Sequence, residues 1–228
     1  MALNSRLLKI ATMVREGDRV ADIGTDHAYL PVYLIRNGLS NKVFACDVAD
    51  GPLLNARKNI ERTQTANIIL RKGDGLAAVE PNEADTFVLA GMGGDLIVKL
   101  LEKASWIRDE RYELLLQPMT SVEDLRKYLC DNGFAIKCEQ AVKSQGRVYT
   151  VIKAVFCGEK ISCEPFFYYL GKLTDNIGED EIAYIKRKRR LVCELAENLK
   201  NVKNEEERRE ILIKVVADID RLLEKHGN

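Results

Sequence analysis

The sequence predicts an α/β protein in which a mostly parallel sheet, covered by helices on both faces, precedes a C-terminal helical hairpin. Over residues 5–133, short apolar segments alternate with amphipathic helical ones. Two consecutive strand-like stretches follow at residues 134–156, and two charged segments with apolar residues near heptad spacing lie beyond Gly158. Strands that alternate with helices are typical of a parallel sheet with both faces buried.

The composition is that of an ordinary globular protein. The 228 residues suffice for one α/β domain and a small appendage, with 46% hydrophobic and 31% charged residues. No stretch approaches the roughly 18 apolar residues that a membrane span needs. The first six residues lack the apolar core and cleavage site of a secretory signal. We therefore expect a cytoplasmic protein that is not bound to a membrane.

Charge and cysteine content favour neither a metal site nor global attraction to nucleic acid. The chain has 35 basic and 35 acidic residues, although a local basic patch suffices to bind a phosphate backbone. Six cysteines occur without a CxxC pair, and only two histidines accompany them. We expect no metal, and we expect the cysteines to be small buried apolar residues.

The first elements in chain order are a helix, a strand and a second helix. Apolar spacing predicts a helix over residues 5–14 with Ser5 as its N-cap. Residues 19–23 form a short buried strand that ends at Gly24. Residues 29–36 predict a helix, with Pro31 tolerated in its first turn and Asn37-Gly38 closing it.

The same alternation continues to residue 133 and then changes. The further predicted strands are 43–46, 68–71, 86–90 and 113–116, and the further predicted helices are 52–62, 96–103 and 122–132. Residues 134–142 and 147–156 then predict two antiparallel strands. An antiparallel pair that completes a parallel sheet is a hallmark of the Rossmann-like class I methyltransferases, and dehydrogenase domains normally lack it.

The C-terminal segment predicts an antiparallel coiled-coil hairpin. Residues 181–199 and 211–223 present narrow apolar seams, and a polar turn near Asn204 joins them. We predict two domains, 1–158 and 159–228.

Glycines and acids follow four successive predicted strands, where parallel α/β sheets bind ligands. Gly24 permits a tight turn, Asp47 is placed to accept hydrogen bonds from ribose hydroxyls, and Asp74 suits an adenine amino group. Residues 91–94 (GMGG) predict a flat, flexible floor. A dinucleotide site would need G-x-G-x-x-G, whereas Asp26 would repel a pyrophosphate; a cationic sulfonium cofactor tolerates that charge.

Five motifs together resemble the bacterial tRNA (adenine-22-N1)-methyltransferases. They are residues 21–31 (ADIGTDHAYLP), 50–52 (DGP), 73–75 (GDG), 90–94 (AGMGG) and 116–118 (LQP). The resemblance runs from about Leu3 to Phe156, and the hairpin matches that family's architecture. One position departs from it, because Met119 stands where relatives are expected to have asparagine.

The resemblance implies methyl transfer from S-adenosylmethionine to N1 of an adenine in tRNA, at position 22. Adenine N1 has a free lone pair at neutral pH, so positioning supplies most of the acceleration. A fixed carboxylate near the ring would stabilise the positive charge that develops there. The catalytic candidates are Asp26 and His27, and the substrate-binding candidates are Arg6, Tyr29 and Gln117. The cofactor-binding candidates are Asp22, Gly24, Asp47, Val48, Asp74, Gly75, Gly91, Met92 and Gly93.

Structural roles compete with several of these assignments. Asp26 could cap the following helix, His27 could be a satisfied structural histidine, Tyr29 could pack in the core and Arg6 could be solvated. The basic run 186–190 could contact RNA or form a solvated helix face balanced by the acids 205–207.

Three functions are compatible with the sequence: a tRNA methyltransferase, a methyltransferase for a small molecule or protein, and an RNA-binding module without activity. The intact acids and the glycine floor argue against the third. A monomer is the simplest expectation for the oligomeric state.

Overall fold

The structure is a computed structural model that describes residues 3–226. Residues 1–2 and 227–228, at the outer ends of the two predicted domains, lie outside the described residues. Seven strands form one sheet: β1 (Arg19–Ile23), β2 (Lys42–Asp47), β3 (Ile68–Lys72), β4 (Thr86–Met92), β5 (Glu113–Pro118), β6 (Phe134–Ser144) and β7 (Arg147–Phe156). The α-helices are α1 (Ser5–Met13), α2 (Tyr29–Arg36), α3 (Asp50–Thr63), α4 (Gly94–Lys103), α5 (Val122–Asp131), α6 (Pro165–Leu170), α7 (Glu179–Asn198) and α8 (Glu206–Lys225).

The strand order β3-β2-β1-β4-β5-β7-β6 places β1 at the centre of the sheet. β1 pairs in parallel with β2 on one side and with β4 on the other, so that Val20 lies opposite both Val43 and Thr86. From β1, the chain first adds β2 and β3 on one side of the sheet and then crosses to add β4 and β5 on the other side. Such a switch point opens a crevice beyond the carboxyl ends of the strands.

An antiparallel hairpin completes the sheet, as the sequence predicted. β7 pairs antiparallel with β5 and with β6. Gln145 and Gly146 form the turn with φ of 50° and 73°, the left-handed conformation that two-residue hairpins favour. The fold is therefore the mixed, Rossmann-like α/β architecture expected from the pattern of segments.

Buried side chains fill both faces of the sheet. On one face Phe87 and Leu89 pack with Ile97 and Leu101 of α4. On the other face Val20 and Val88 pack with Ile10 of α1. Successive residues of β4 thus point into different cores, which explains why the strand is apolar without alternation.

The predicted boundaries differ from the structure in a few places. Asn4, not Ser5, caps α1, because its side chain accepts the Leu7 N–H at 2.9 Å. α6 was not predicted at all, since six residues are too few to display a helical period. The helix α3 begins earlier than expected, at Asp50, with that acid in its first turn.

Two helices of 20 residues each, α7 and α8, pack against each other at the C-terminus. Val192 of α7 and Val215 and Ile219 of α8 are buried between them. Asn204, in the connecting turn, has a φ of 64°. That this pair forms a coiled coil stays a prediction.

The proposed boundary at residue 158 also stays a prediction, and a buried ion pair is held from both sides of it. Arg126 and Glu139, both on the N-terminal side, are fully buried and bonded to each other. Arg126 also donates to the carbonyl oxygens of Tyr168 and Tyr169 at 2.8 and 2.9 Å. The backbone N–H of Lys172 donates to Glu139 at 3.2 Å.

The expectation that all six cysteines are buried is wrong. Cys46 and Cys130 are buried, but Cys157 is exposed and the other three are intermediate. Burial raises the pKa of Cys46 to about 12. Within residues 3–226, no cluster of three or more metal-ligating side chains occurs. The described helices include none with the length and apolarity of a membrane span.

Candidate active site

A crevice of about 220 Å³ lies at the carboxyl ends of β1 to β4. It brings together six of the nine predicted cofactor-binding residues: Gly24, Asp47, Val48, Asp74, Gly75 and Met92. Asp22, Gly91 and Gly93 do not line it. A larger groove of about 710 Å³, between α6 and α8, contains no predicted site residue.

Gly24 forms a tight turn after β1. Its φ is +82°, and a Cβ there would lie 3.1 Å from Cε of Met92. The N–H groups of Gly24 and Thr25 both donate to the carbonyl of Cys46 at 2.9 Å, which ties this turn to β2. The crevice wall therefore consists of backbone at this position, as a close approach to a ligand requires.

Asp47 lies at the end of β2 and lines the crevice. Its Oδ1 accepts the N–H of Ala49 at 2.8 Å, which orients the carboxylate. An ionised carboxylate offers about four lone-pair sites, so this bond leaves capacity for two hydroxyl donors. This geometry suits the vicinal hydroxyls of a ribose.

Asp74 and Gly75 follow β3 at the opposite wall. Gly75 has a φ of +62°, and a Cβ there would lie 2.3 Å from Cδ2 of Leu100, so only glycine fits. The carboxylate of Asp74 contacts Nζ of Lys103 at 2.9 Å, and both side chains are exposed. An adenine amino group that binds Asp74 must therefore share its carboxylate with Lys103 or displace Lys103 from it.

Residues 91–94, for which the sequence predicted a flat, flexible floor, join the end of β4 to the start of α4. β4 continues to Met92, with a register shift against β5 between Ala90 and Met92. α4 then begins at Gly94, where a Cβ would lie 2.3 Å from the carbonyl oxygen of Ser121. The segment is thus a bulged strand end followed directly by a tightly packed helix start.

Arg6, Gln117 and Gly91 form one network beside the crevice. Gln117 is fully buried, and its Oε1 accepts the Gly91 N–H at 3.0 Å and a guanidinium N–H of Arg6. Burial lowers the pKa of Arg6, while the nearby Tyr149 and Asp22 oppose that effect. The interpretation of Arg6 as a solvated residue is therefore wrong, since α1 brings its side chain against the ends of β4 and β5.

Asp22 lies buried at the base of the site. Burial raises its pKa from 3.8 to about 6; the Thr25 hydroxyl and Arg6 counteract this shift, and Asp47 adds to it. A buried carboxylate with a raised pKa favours a cationic ligand, because a positive charge offsets the cost of its ionisation.

Asp26, His27 and Tyr29, called the rim residues below, follow the Gly24 turn in the chain, and none of them lines the crevice. Oδ2 of Asp26 is 3.3 Å from Nε2 of His27, and the His27 ring stacks on Tyr29 with centroids 5.0 Å apart. The N-cap of α2 is Ala28, in a left-handed conformation and without a side-chain cap, so the capping role considered for Asp26 is wrong. Tyr29 is 39% exposed, which excludes the core role, but it does not line the crevice.

Several lining residues were not singled out in the sequence. Leu96 and Leu100 of α4 line the crevice one helical turn apart, and their i, i+4 spacing on an amphipathic helix was the available signal. Tyr149 of β7 lies near Arg6. No local pattern reveals that proximity, because it depends on how β7 inserts beside β5.

The sheet order and the acid-lined crevice together define a class I methyltransferase. In agreement, a family model described as a methyltransferase domain matches residues 3–152. The chain belongs to this methyltransferase family.

Similarity to individual proteins is more specific. The tRNA (adenine(22)-N(1))-methyltransferase of Bacillus subtilis strain 168 is 35% identical over 155 residues, which are 68% of this chain and 65% of that protein. The match thus spans slightly less than two thirds of that relative.

Solved structures extend the similarity to nearly the whole fold. The B. subtilis m1A22 tRNA methyltransferase TrmK has a TM-score of 0.80 at 28% identity, with 98% of each chain covered. Streptococcus pneumoniae Sp1610, a putative tRNA (m1A22) methyltransferase in complex with S-adenosyl-L-methionine, has a TM-score of 0.79 at 28% identity. The coverage is 96% of this chain and 98% of that one.

Proposed function

We propose that this protein transfers the methyl group of S-adenosylmethionine to N1 of adenine 22 in tRNA. One observation carries the proposal: a crevice lined by Asp47 and Asp74 occupies the switch point of a fold that matches an m1A22 tRNA methyltransferase over 98% of each chain. Because tRNA is the substrate, we place the protein in the cytoplasm, and we expect it to act as a monomer.

The residues present fit S-adenosylmethionine. Gly24 and Gly75 leave space that a Cβ would fill, Asp47 suits ribose hydroxyls, and the buried Asp22 favours the ammonium group of the methionine end. The cofactor, when bound, supplies an electrophilic methyl group. The protein's own contribution is to hold the acceptor nitrogen in line with that group.

The rim residues suit the acceptor base. Adenine N1 needs no general base, because its lone pair is free at neutral pH. To the Asp26 carboxylate, two residues after Gly24 of the crevice wall, we assign the stabilisation of positive charge on the methylated ring. The His27 ring, stacked on Tyr29, offers a flat surface beside that carboxylate.

Replacing Asp47 by Ala should weaken S-adenosylmethionine binding about tenfold or more, because the hydrogen bonds of a charged acceptor to two hydroxyls are lost. Isothermal titration calorimetry measures this affinity. Asp50→Ala is the matched control, since Asp50 lies three residues on, pairs with Lys72 at the surface and does not line the crevice. Unchanged affinity in Asp47→Ala would show that the ribose assignment is wrong.

Cofactor affinity should depend on pH through Asp22. Because its pKa in the free protein is about 6, Asp22 is ionised above that pH and can pair with an ammonium group. We expect constant affinity above about pH 7 and a progressive loss below pH 6. Asp22→Asn should abolish this dependence in a calorimetric pH series, and an unaltered profile would contradict the assignment.

The same shift has an opposite consequence for the free protein. The folded pKa of Asp22 lies above the ordinary value of 3.8, so the folded state binds its proton more tightly. The resulting stabilisation is fully present below about pH 4 and is lost as the pH rises through 6. Protonation of Asp22 should therefore weaken cofactor binding but favour the folded state of the free protein.

The decisive experiment uses unmodified bulk tRNA and isotopically labelled S-adenosylmethionine. Mass spectrometry of the digested nucleosides should detect labelled 1-methyladenosine. Cofactor binding without labelled nucleoside would preserve the methyltransferase assignment and refute the tRNA substrate. Label in a small-molecule or protein fraction would then identify the alternative acceptor.

A further inference from the structure

A second cavity, of about 200 Å³, lies beside the active site at the junction of β5, β7 and α7. Its lining begins at Pro118, directly after Gln117, and includes Tyr149 of β7. Gln117 holds Arg6 and Gly91 on the other side of this strand end. β4 and β5 are neighbouring strands, which lie about 4.8 Å apart. This cavity, at the end of β5, is therefore close to the end of β4.

The walls of this cavity combine apolar and polar side chains, and the one carboxylate among them, Glu123, is paired with Lys188 at 3.1 Å. Met119 and Leu191 both line it, and each is 38% exposed, so their apolar surface is accessible to a ligand. Tyr149 adds an aromatic ring. Flat apolar and aromatic surfaces of this kind are what single-stranded nucleic-acid sites use to stack bases.

The mouth of the cavity carries an arginine without an acidic partner. In the basic run, Lys188 pairs with Glu123, Arg189 with Asp220 and Arg190 with Glu194. The acids 205–207 expected to balance the run are therefore not its partners. Among the described residues, Arg187 has no carboxylate within ion-pair distance; one guanidinium N–H donates to the carbonyl oxygen of Val148 at 3.3 Å.

These features match one chemical class. A nucleotide combines a flat base with an anionic phosphate, and the cavity combines the apolar surface of Met119 and Leu191 with the exposed, tethered guanidinium of Arg187. Arginine binds phosphate in two-pronged geometry, and it has five N–H donors, of which Val148 uses one. A small apolar ligand would leave Arg187 unused, and a free phosphate would leave Met119 and Leu191 unused.

We propose that this cavity binds the base of a nucleotide adjacent to the target adenine, with Arg187 on its phosphate. The proposal rests on the proposed function, because it assumes an RNA substrate. The target adenine then occupies the rim above the crevice, and its neighbour is splayed out over the end of β5. This arrangement orients the acceptor from two sides.

The first test compares two adjacent positions on α7. Both Lys186 and Arg187 are exposed and without an ion pair among the described residues, but only Arg187 lines the cavity. Fluorescence anisotropy measures the binding of unmodified tRNA, independently of turnover. Arg187→Gln, which can still donate to Val148, should weaken binding about tenfold and lower the slope against log salt by about one.

The Lys186→Gln variant is the control, and it shows whether a loss in Arg187→Gln is specific to the cavity. Lys186→Gln should change tRNA affinity by less than about twofold, and S-adenosylmethionine affinity should be unaltered in both variants. Equal losses in the two variants would show a non-specific basic face and overturn the proposal. No loss in Arg187→Gln would also overturn it.

The second test asks whether a base enters the cavity. Transfer RNAs that lack the base on either side of the target adenine are compared with intact tRNA. One of them should bind the wild type about tenfold more weakly, because a stacked base is lost. Leu191→Asp, which places a charge in the cavity, should bind that tRNA and the intact one equally.

The outcomes separate this proposal from the proposed function. If the wild type binds both altered tRNAs as tightly as the intact one, no base occupies the cavity. If Leu191→Asp weakens the binding of the intact and the altered tRNAs by the same factor, the missing base does not contact this cavity, and the proposal is wrong. Absence of labelled 1-methyladenosine would refute the function, while the anisotropy comparison still decides whether this cavity binds RNA.

Discussion

Glu139→Gln should lower the free energy of unfolding by about 3–5 kcal/mol, because it leaves the fully buried Arg126 guanidinium without its counterion. The replacement keeps the size of the side chain, so no cavity forms. Thr150 donates its hydroxyl to the same carboxylate at 2.6 Å, and the Lys172 N–H approaches it at 3.2 Å. Removing one charge therefore disturbs a network that joins β6, β7 and the segment after α6.

Urea denaturation followed by circular dichroism measures this effect. Glu194→Gln is the control, because the Arg190–Glu194 pair is exposed and a surface pair contributes about 0–1 kcal/mol. Equal stability of the two variants would contradict the assignment of Arg126–Glu139 as a structural pair. The double variant Arg126→Met/Glu139→Leu should recover only part of the loss: it removes the unpaired charge, but the carbonyls of Tyr168 and Tyr169 lose their donor.

The same network bears on an experiment in which residues 159–228 are removed to test whether they bind the substrate. A chain that ends at Gly158 loses the Tyr168 and Tyr169 carbonyls that accept from Arg126. We expect such a chain to be destabilised, so a loss of tRNA methylation alone would not show that residues 159–228 hold the substrate. Preserved cofactor binding in the truncated chain is the necessary companion result.

The sequence predicted the sheet well because its signals are local. Four of the five parallel strands, β1 to β4, are short runs that end at or beside glycine or an acid, and these strand ends carry the crevice residues Gly24, Asp47 and Asp74. The antiparallel pair at 134–156 was equally visible as two strands without an intervening helix. Glycine at positions 24 and 75 is explained by positive φ and close packing.

The remaining features depend on contacts between distant residues. Arg126 meets Glu139 13 residues away and Tyr168 42 residues away, and no spacing rule connects them. Arg6 meets Gln117 across 111 residues. Ala28 adopts φ of 52° although it is not glycine, which local propensity disfavours and the surrounding packing imposes.

Asp26→Asn should lower kcat on tRNA about 100-fold while S-adenosylmethionine affinity stays within a few-fold. During transfer, positive charge moves from the sulfonium to the adenine ring, and a carboxylate beside the ring stabilises that state more than the ground state. In the free protein the Asp26 side chain is 72% exposed, so water screens its charge. Bound RNA would exclude that water and strengthen the interaction.

Single-turnover kinetics with saturating tRNA separates this role from substrate binding. Asp95→Asn is a matched control, because Asp95 is an acid in the first turn of α4 that bonds Ser121 and does not line the crevice. His27→Gln tests the remaining possibility that Asp26 acts through its contact with His27. If the carboxylate stabilises the ring directly, His27→Gln retains much of the rate that Asp26→Asn loses. Equal losses would instead make Asp26 a positioning residue for His27, and a normal rate in Asp26→Asn would remove it from the mechanism.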